Sequence, residues 1–167
     1  NCNIHDNGTP AVFPNGGLGH GIYMESSDNT VSGCTIHDNG EYAVQVFSQE
    51  TGATNGVDCS RNRIVGNVLY NNGFGFHSTG TPANGWGIII TVGDSNFVAN
   101  NAIYGNKGGG IQLDWNGTLA TTPSNTSIYF NSIYGNNIVG GNHGLEASVN
   151  TINTVAKCNA LFANAGD

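Results

Sequence analysis

Six copies of one short pattern divide this chain into segments of similar length. Each copy has an isoleucine or leucine, then a histidine or aromatic residue, then any residue, and finally an asparagine. The aliphatic residues that begin the copies are Ile4, Ile36, Leu69, Ile103, Ile133 and Leu161. They recur about 28 to 34 residues apart, and a period of that length is typical of solenoids, in which each repeat packs against its neighbours.

Three short strands in each repeat are predicted from the alternation of apolar and polar residues. The first strand usually follows a glycine, and it occurs at 21–24, 43–46, 87–90, 110–113 and 144–147. Alternation with a period of two directs the outer two residues of each apolar triplet inward and the middle one outward. The second strands are centred on Val31, Ile64, Val98 and Ile128, and the third on the aliphatic series above. No stretch has useful amphipathic helical spacing, so we expect an all-β chain.

Asparagines mark two positions of the repeat. One position is the bend between the second and third strands, where Cys34 is followed on later turns by Asn67, Asn101, Asn131 and Asn159. The other closes the third strand, at Asn7, Asn39, Asn72, Asn106, Asn136 and Asn164. Asparagine tolerates the left-handed conformation, and stacked amides can bond to one another. We therefore predict structural asparagine ladders.

Three strands per turn with asparagine at the bend resembles the right-handed parallel β-helix. That group includes pectate lyases, polygalacturonases and alginate epimerases, and the resemblance covers essentially the whole chain. It implies a solenoid of about five to six turns forming one domain over 1–167. Because no amphipathic helix covers either end, we expect this domain to belong to a longer solenoid or to form an end-to-end homo-oligomer.

Charge and cysteine content restrict the possible partners. Four Lys and Arg stand against eleven Asp and Glu, which argues against nucleic acid because phosphate binding needs clustered basic residues. No apolar run is long enough for a membrane span. The four cysteines lack metal-ligand spacing, so no metal or other cofactor is required, although calcium stays an option. Cys2 and Cys34 share one repeat position, so they are either within reach of a disulfide or free packed thiols.

A groove is predicted over the glycine-led strands, because the longest connections flank those strands and loops on rigid scaffolds usually bind ligands. The expected substrate-binding residues are Tyr23, Gln45, Trp86, Gln112, Trp115, His20 and His143. The outward acids Asp114, Glu146 and Glu25 are the catalytic candidates, since glycoside hydrolysis uses carboxylate pairs about 5 to 10 Å apart. The histidine and aromatic column of the third strands is expected to stack as structural reinforcement.

Three functional hypotheses follow. The first is a secreted or cell-surface module that recognises or processes a polysaccharide in the predicted groove. The second is a structural protein that stacks into a fibre or surface layer. The third is a lyase or hydrolase with a non-standard catalytic set, because three aspartates on neighbouring turns, a Tyr-Gly-x-Asp-Pro-His sequence and a cluster of acids beside a base are all missing from the sequence.

Overall fold

The computed structural model describes residues 1–8, 19–48, 59–75, 85–114, 122–138 and 143–164, and within them every regular element is a strand of three residues. The strands are β1 (Asn3–His5), β2 (Ile22–Met24), β3 (Thr30–Ser32), β4 (Thr35–His37), β5 (Val44–Val46), β6 (Arg63–Val65), β7 (Val68–Tyr70), β8 (Ile88–Ile90), β9 (Phe97–Ala99), β10 (Ala102–Tyr104), β11 (Ile111–Leu113), β12 (Ser127–Tyr129), β13 (Ser132–Tyr134), β14 (Leu145–Ala147), β15 (Val155–Lys157) and β16 (Ala160–Phe162). The all-β prediction is confirmed.

Three parallel sheets arise because equivalent strands of successive turns lie side by side. Sheet A contains the third strands in the order β1-β4-β7-β10-β13-β16, with six members. Sheet B contains the five glycine-led strands, β2-β5-β8-β11-β14, and sheet C contains the five second strands, β3-β6-β9-β12-β15. Register is kept from turn to turn, so that Ile36 lies opposite Ile4 and Leu69. This is the predicted parallel β-solenoid with three strands per turn.

The core is a stack of aliphatic side chains enclosed by the three sheets. Sheets A and C each direct the middle residue of a strand inward, as Ile103 and Val98 show, and both are fully buried. Sheet B directs the first and third residues inward, as in Ile88 and Ile90. Each such side chain contributes about 1.5–3 kcal/mol when fully buried, so the repeated stack is the main source of stability.

Glycine leads most strands of sheet B because the corner has no room for a side chain. A Cβ added at Gly87 would lie 2.5 Å from Cγ2 of Ile103 and 2.8 Å from the carbonyl oxygen of Gly110. On another turn the equivalent position is Ala43, and Leu69 takes the place of the isoleucine that faces it. Leucine has no branch at Cβ and therefore no Cγ2 to collide with the alanine methyl group. The sequence pattern thus reflects steric contact with the neighbouring aliphatic residue.

Both predicted asparagine ladders are present. At the first, the backbone N–H and Nδ2 of Asn67 donate to Oδ1 of Asn101 at 2.9 and 3.0 Å, and Asn101 donates in the same way to Asn131. The second ladder runs without interruption through Asn7, Asn39, Asn72, Asn106, Asn136 and Asn164. Each amide therefore ties one turn to the next and satisfies backbone groups at a bend.

A third ladder, which the sequence analysis missed, enters sheet C. Asn29 donates to Oδ1 of Asn62, and the backbone N–H of Asn62 donates to Oδ1 of Asn96. Thr126 and Thr154 hold the same position on the following turns, and the buried Nδ2 of Asn96 has no hydrogen-bond partner. The amide ladder ends there because threonine has no side-chain carbonyl to continue it.

The histidine and aromatic column on the outer face of sheet A is stacked face to face. Ring centroids lie 4.9 Å apart for His5 and His37, 4.7 Å for His37 and Tyr70, 5.1 Å for Tyr70 and Tyr104, and 5.0 Å for Tyr104 and Tyr134. The predicted reinforcing stack is confirmed over these five rings. Their faces are already covered by one another, which leaves mainly ring edges for other contacts.

The four cysteine thiols are free. Cys2 and Cys34 lie on neighbouring turns, as the repeat predicts, and their thiols are hydrogen-bonded. That bond raises the pKa of the Cys2 thiol.

Candidate functional site

The outer face of sheet B presents one column of middle residues in unbroken register. Its members, in spatial order, are Tyr23, Gln45, Ile89, Gln112 and Glu146. These residues alternate with inward aliphatic ones, so their side chains project away from the core. The predicted column therefore exists, and its members differ in depth.

The centre of this column is buried. Gln45 is 8 % exposed and Ile89 is 4 % exposed, although both belong to the outward set. Thr91, two residues after Ile89, is also buried, and its hydroxyl donates to the carbonyl of Val46. The Oε1 atom of Gln45 is buried and receives no hydrogen bond. This acceptor is unusual, because buried polar groups are nearly always paired.

Aromatic rings gather at one end of the face. The His20 ring stacks on Tyr23 at 5.4 Å and on Tyr42 at 5.2 Å between centroids. Phe47, two residues after Gln45, lies against Tyr23 with centroids 6.1 Å apart and planes tilted by 57°. His20 and Tyr23, both predicted from sequence as binding residues, are thereby brought together next to Gln45.

The three predicted catalytic acids do not form one group. Glu25 follows β2 and Asp114 follows β11, three strand spacings away, which is roughly 14 Å. Glu146 lies on the strand next to Asp114, displaced by two residues, at an expected separation of roughly 8 Å. Nε2 of Gln112 donates to Oε1 of Glu146 at 3.4 Å. Asp114 and Glu146 are therefore the pair that the fold brings close, and Glu25 stands apart.

The predicted tryptophan and histidine contacts have different outcomes. Trp86 is 3 % exposed, and its ring lies against the backbone of Gly109, where any side chain would overlap it. It packs into the molecule and offers no open ring face. His143 is exposed, at the position before the last strand of sheet B. Trp115 lies outside the described residues.

One acidic residue beside this face was missed. Glu41 occupies a repeat position that is glycine on three other turns. Gly19 and Gly85 hold this position on the two neighbouring turns, and Gly108 holds it on the turn after Gly85. Its Oε2 lies 3.3 Å from Nε2 of His20, and the two side chains are 1 % and 6 % exposed. A buried carboxyl group beside a buried imidazole is costly unless it is well compensated, and such groups concentrate at functional sites. The sequence signal that could have identified Glu41 is that it replaces glycine at this repeat position.

The pKa of Tyr42 is changed by its burial and by the acidic residues near it. Burial, together with the charges of Glu41 and Asp114, raises the pKa of Tyr42 to about 12. Its phenol therefore stays protonated at neutral pH and acts as a hydrogen-bond donor. It is unsuited to be a general base, which works best with a pKa near the operating pH.

Comparisons with known proteins fit this architecture. A family model described as the right handed beta helix region matches residues 1–84, just over half of the 167 residues. The chain belongs to the right-handed β-helix family. Searches of curated proteins and of solved structures found no significant match. Family membership establishes the fold of this β-helix, and function must be argued from its site.

A separate cleft of this β-helix lies at the corner after the third strands. It has a volume of about 450 Å³ and is lined by Asp6, Asp38, Asn39, Gly40, Asn71, Phe74 and Gly75. Each aspartate accepts a hydrogen bond from the histidine before it, at 2.7 Å for Asp6 and 2.6 Å for Asp38. This cleft was not predicted from the sequence: Asn39 was assigned to an asparagine ladder, and the two aspartates were given no role.

Two further findings concern metals and membranes. In the part of the β-helix that the structure describes, no group of three or more His, Cys, Asp or Glu side chains is placed to hold a metal ion. The expectation that no cofactor is required stays a prediction, and calcium stays an open option. Over the same residues, no helix has the length and apolar character needed to cross a membrane.

Proposed function

We propose that this β-helix recognises a polysaccharide along the outer face of sheet B, and that the favoured sugars are uncharged. The observation that carries the proposal is the column from Tyr23 to Glu146, in which aromatic, amide and carboxylate groups are held in one register. Aromatic rings can cover the apolar face of a sugar, and amides and carboxylates can bond its hydroxyls. A secreted or cell-surface location belongs to the same proposal.

Charge supports the preference for neutral sugars. Glu25, Asp114 and Glu146 follow or occupy strands of sheet B, whereas none of the four basic residues lies in that sheet. Arg63 and Lys157 belong to sheet C, and the other two, Arg61 and Lys107, lie in connections. Like charges at short range are unfavourable, so a polyuronate would be repelled from this face. A chain of neutral sugars meets no such penalty.

Processing is the finer part of the proposal. The backbones of Asp114 and Glu146 are roughly 8 Å apart, so their carboxyl groups can reach the separation of about 6.5–9.5 Å used by inverting glycoside hydrolases, in which one carboxyl acts as acid and the other as base. These two side chains are our candidates if the bound polysaccharide is cleaved. Glu25 lies too far away to take part with them.

The test is a binding series on the purified chain with neutral glucans and xylans against polygalacturonate and alginate. We expect saturable binding to a neutral polymer, and a loss of about tenfold, or about 1.4 kcal/mol, in both Gln112→Ala and Glu146→Gln. Ser132→Ala, which removes an exposed polar group from the outer face of sheet A, is the control and should bind normally. Affinity that is unchanged in both sheet B variants would refute the proposed face.

Cleavage and assembly are measured on the same sample. Release of new reducing ends that disappears in Asp114→Asn and in Glu146→Gln would assign hydrolysis to this pair, and turnover that survives both changes would exclude it. Light scattering addresses the structural hypothesis. Large regular particles without glycan binding would favour the fibre or surface-layer alternative over our proposal.

A further inference from the structure

We infer that Gln45 marks a subsite for the acetamido group of an N-acetylated sugar; this inference rests on the proposed polysaccharide binding at sheet B. The starting observation is the Oε1 atom of Gln45, which is buried and accepts no hydrogen bond. The side chain stands on β5, the strand next to the end of sheet B, with Tyr23 and Ile89 opposite it on the two neighbouring strands. A buried acceptor without a donor costs free energy, so its retention calls for an explanation such as a ligand.

Nearby donors of the protein do not reach this atom. The hydroxyl of Thr91, which projects from the same face, donates to the carbonyl of Val46 at 3.1 Å. Gln112 provides a comparison within the same column, because it is the same residue type two strands away. Its Nε2 donates to Glu146, so its amide is engaged by the neighbouring turn. The corresponding neighbour of Gln45 on the next turn is Ile89, whose side chain has no hydrogen-bonding group.

The walls around Gln45 are apolar. Ile89 is buried on one side, and the rings of Tyr23 and Phe47 meet at a tilt on the other, with centroids 6.1 Å apart. A sugar that offers only hydroxyls would bring several polar groups against these walls. An acetamido group fits better, because it offers one N–H donor for Oε1 and one methyl group for the apolar side chains.

The decisive ligands are chitotetraose and cellotetraose, which share a β-1,4-linked backbone and differ in having acetamido or hydroxyl groups at C2. Calorimetric titration of the full chain should give about tenfold tighter binding of chitotetraose, the ratio expected from one well-made hydrogen bond. In Gln45→Leu the preference should fall to within about twofold, since the variant retains the volume and lacks the acceptor. Gln112→Leu is the matched control and should weaken both ligands alike.

Stability provides an independent readout of the same change. Gln45→Leu removes an unsatisfied buried carbonyl, so its midpoint of thermal unfolding should rise by about 2–4 °C while chitotetraose binding falls. A residue that is merely structural would lose both together. Phe47→Ala, at a half-buried ring of the same wall, is a second variant and should reduce the affinity for chitotetraose more than that for cellotetraose.

The outcomes separate the two proposals. Equal affinities for the two tetrasaccharides, or a preference that survives in Gln45→Leu, would overturn the acetamido subsite and leave polysaccharide binding intact. Absence of binding to either tetrasaccharide and to every neutral polymer would overturn both. A chitotetraose preference that is lost in Gln45→Leu and retained in Gln112→Leu is the result we expect.

Discussion

The outer faces of sheets A and B are built on the same turns but use their side chains in opposite ways. On sheet A, the rings from His5 to Tyr134 repeat the same position and cover one another. On sheet B, the column changes character at every turn, and it includes a buried amide oxygen without a partner. Beside it, one glycine position holds the buried Glu41.

This difference between repeated and varied side chains separates residues that stabilise the solenoid from residues that can bind a ligand. Where each turn repeats the last, as in Asn67 and Asn101, the side chain satisfies its neighbour and little is left for another molecule. Where the repeat is broken, as at Gln45, the side-chain oxygen satisfies no group of the neighbouring turns. Stability should therefore depend on the repeating positions, and ligand binding on the exceptions.

The largest effect is expected from Asn101→Ala in the repeating region. The change removes the acceptor for two donors of Asn67 and the donor to the carbonyl of Ile64. Each buried group left unpaired costs about 1–3 kcal/mol, so the free energy of unfolding should fall by about 4 kcal/mol or more. Urea denaturation followed by circular dichroism measures it. Asn159→Ala, at a less buried position of the same ladder, should lose about half as much, and equal losses would argue against the ladder account.

A double-mutant cycle at His20 and Glu41 examines the exception beside sheet B. His20→Ala and Glu41→Gly each leave a buried polar partner behind, and each should cost about 3 kcal/mol of unfolding free energy. Glu41→Gly restores the residue type of the column, so the double variant should cost clearly less than the sum of the two. Strict additivity in urea denaturation would mean that the 3.3 Å pair has no energetic coupling.

Gly87→Ala sharpens the comparison, because it concerns a repeating position that acts through packing; the added Cβ would also lie 3.1 Å from Nδ2 of the ladder residue Asn106. The added methyl group would meet Cγ2 of Ile103, so we expect a loss of about 2 kcal/mol in thermal or urea unfolding. Combining it with Ile103→Leu should recover part of that loss, since the turn that has Ala43 also has leucine. No recovery in the double variant would show that backbone contact with Gly110 dominates.

The effect with the narrowest range of conditions is expected from Tyr42, because it appears only at alkaline pH. Its pKa is raised to about 12, so the folded state holds this proton more tightly than the unfolded state does. The associated stability is present below pH 10 and is lost as pH rises through about 12, by up to roughly 3 kcal/mol. Tyr42→Phe should remove this dependence of the unfolding free energy on pH. The pKa of Tyr104 is also raised, by burial and by the neighbouring Tyr134 and Tyr70. Absorbance titration at the tyrosinate band should therefore lose one late-titrating group, and not every such group, in Tyr42→Phe; an unchanged titration would contradict the assignment.

The sequence predicted the features that depend on repetition. The aliphatic series, the two ladders and the stacked rings of sheet A each return once per turn, so their spacing revealed the neighbours. The third ladder was missed because threonine replaces asparagine after Asn96 and shortens the pattern. The pattern also did not distinguish Trp86 as a packed ring from an exposed one, since burial depends on how the corner at Gly109 is filled.

The site was harder to predict for a physical reason. Alternation along a strand shows that Gln45 points outward, but it carries no information on depth, and this outward residue is buried. Glu41 lies in a short connection before β5, outside the strand pattern that was used to select acids. Which acids come together depends on strand spacing, and that spacing separates Glu25 from Asp114.

The most direct test of the central claim is nuclear magnetic resonance of the side-chain amides during titration with the neutral glycan that binds best. If ligand binding belongs to the exceptions on sheet B, the signals of Gln45 and Gln112 will shift with saturation. Those of the ladder residues Asn101 and Asn106 will stay in place. Shifts confined to the ladders or to the rings of sheet A, with both glutamine signals unchanged, would contradict the account.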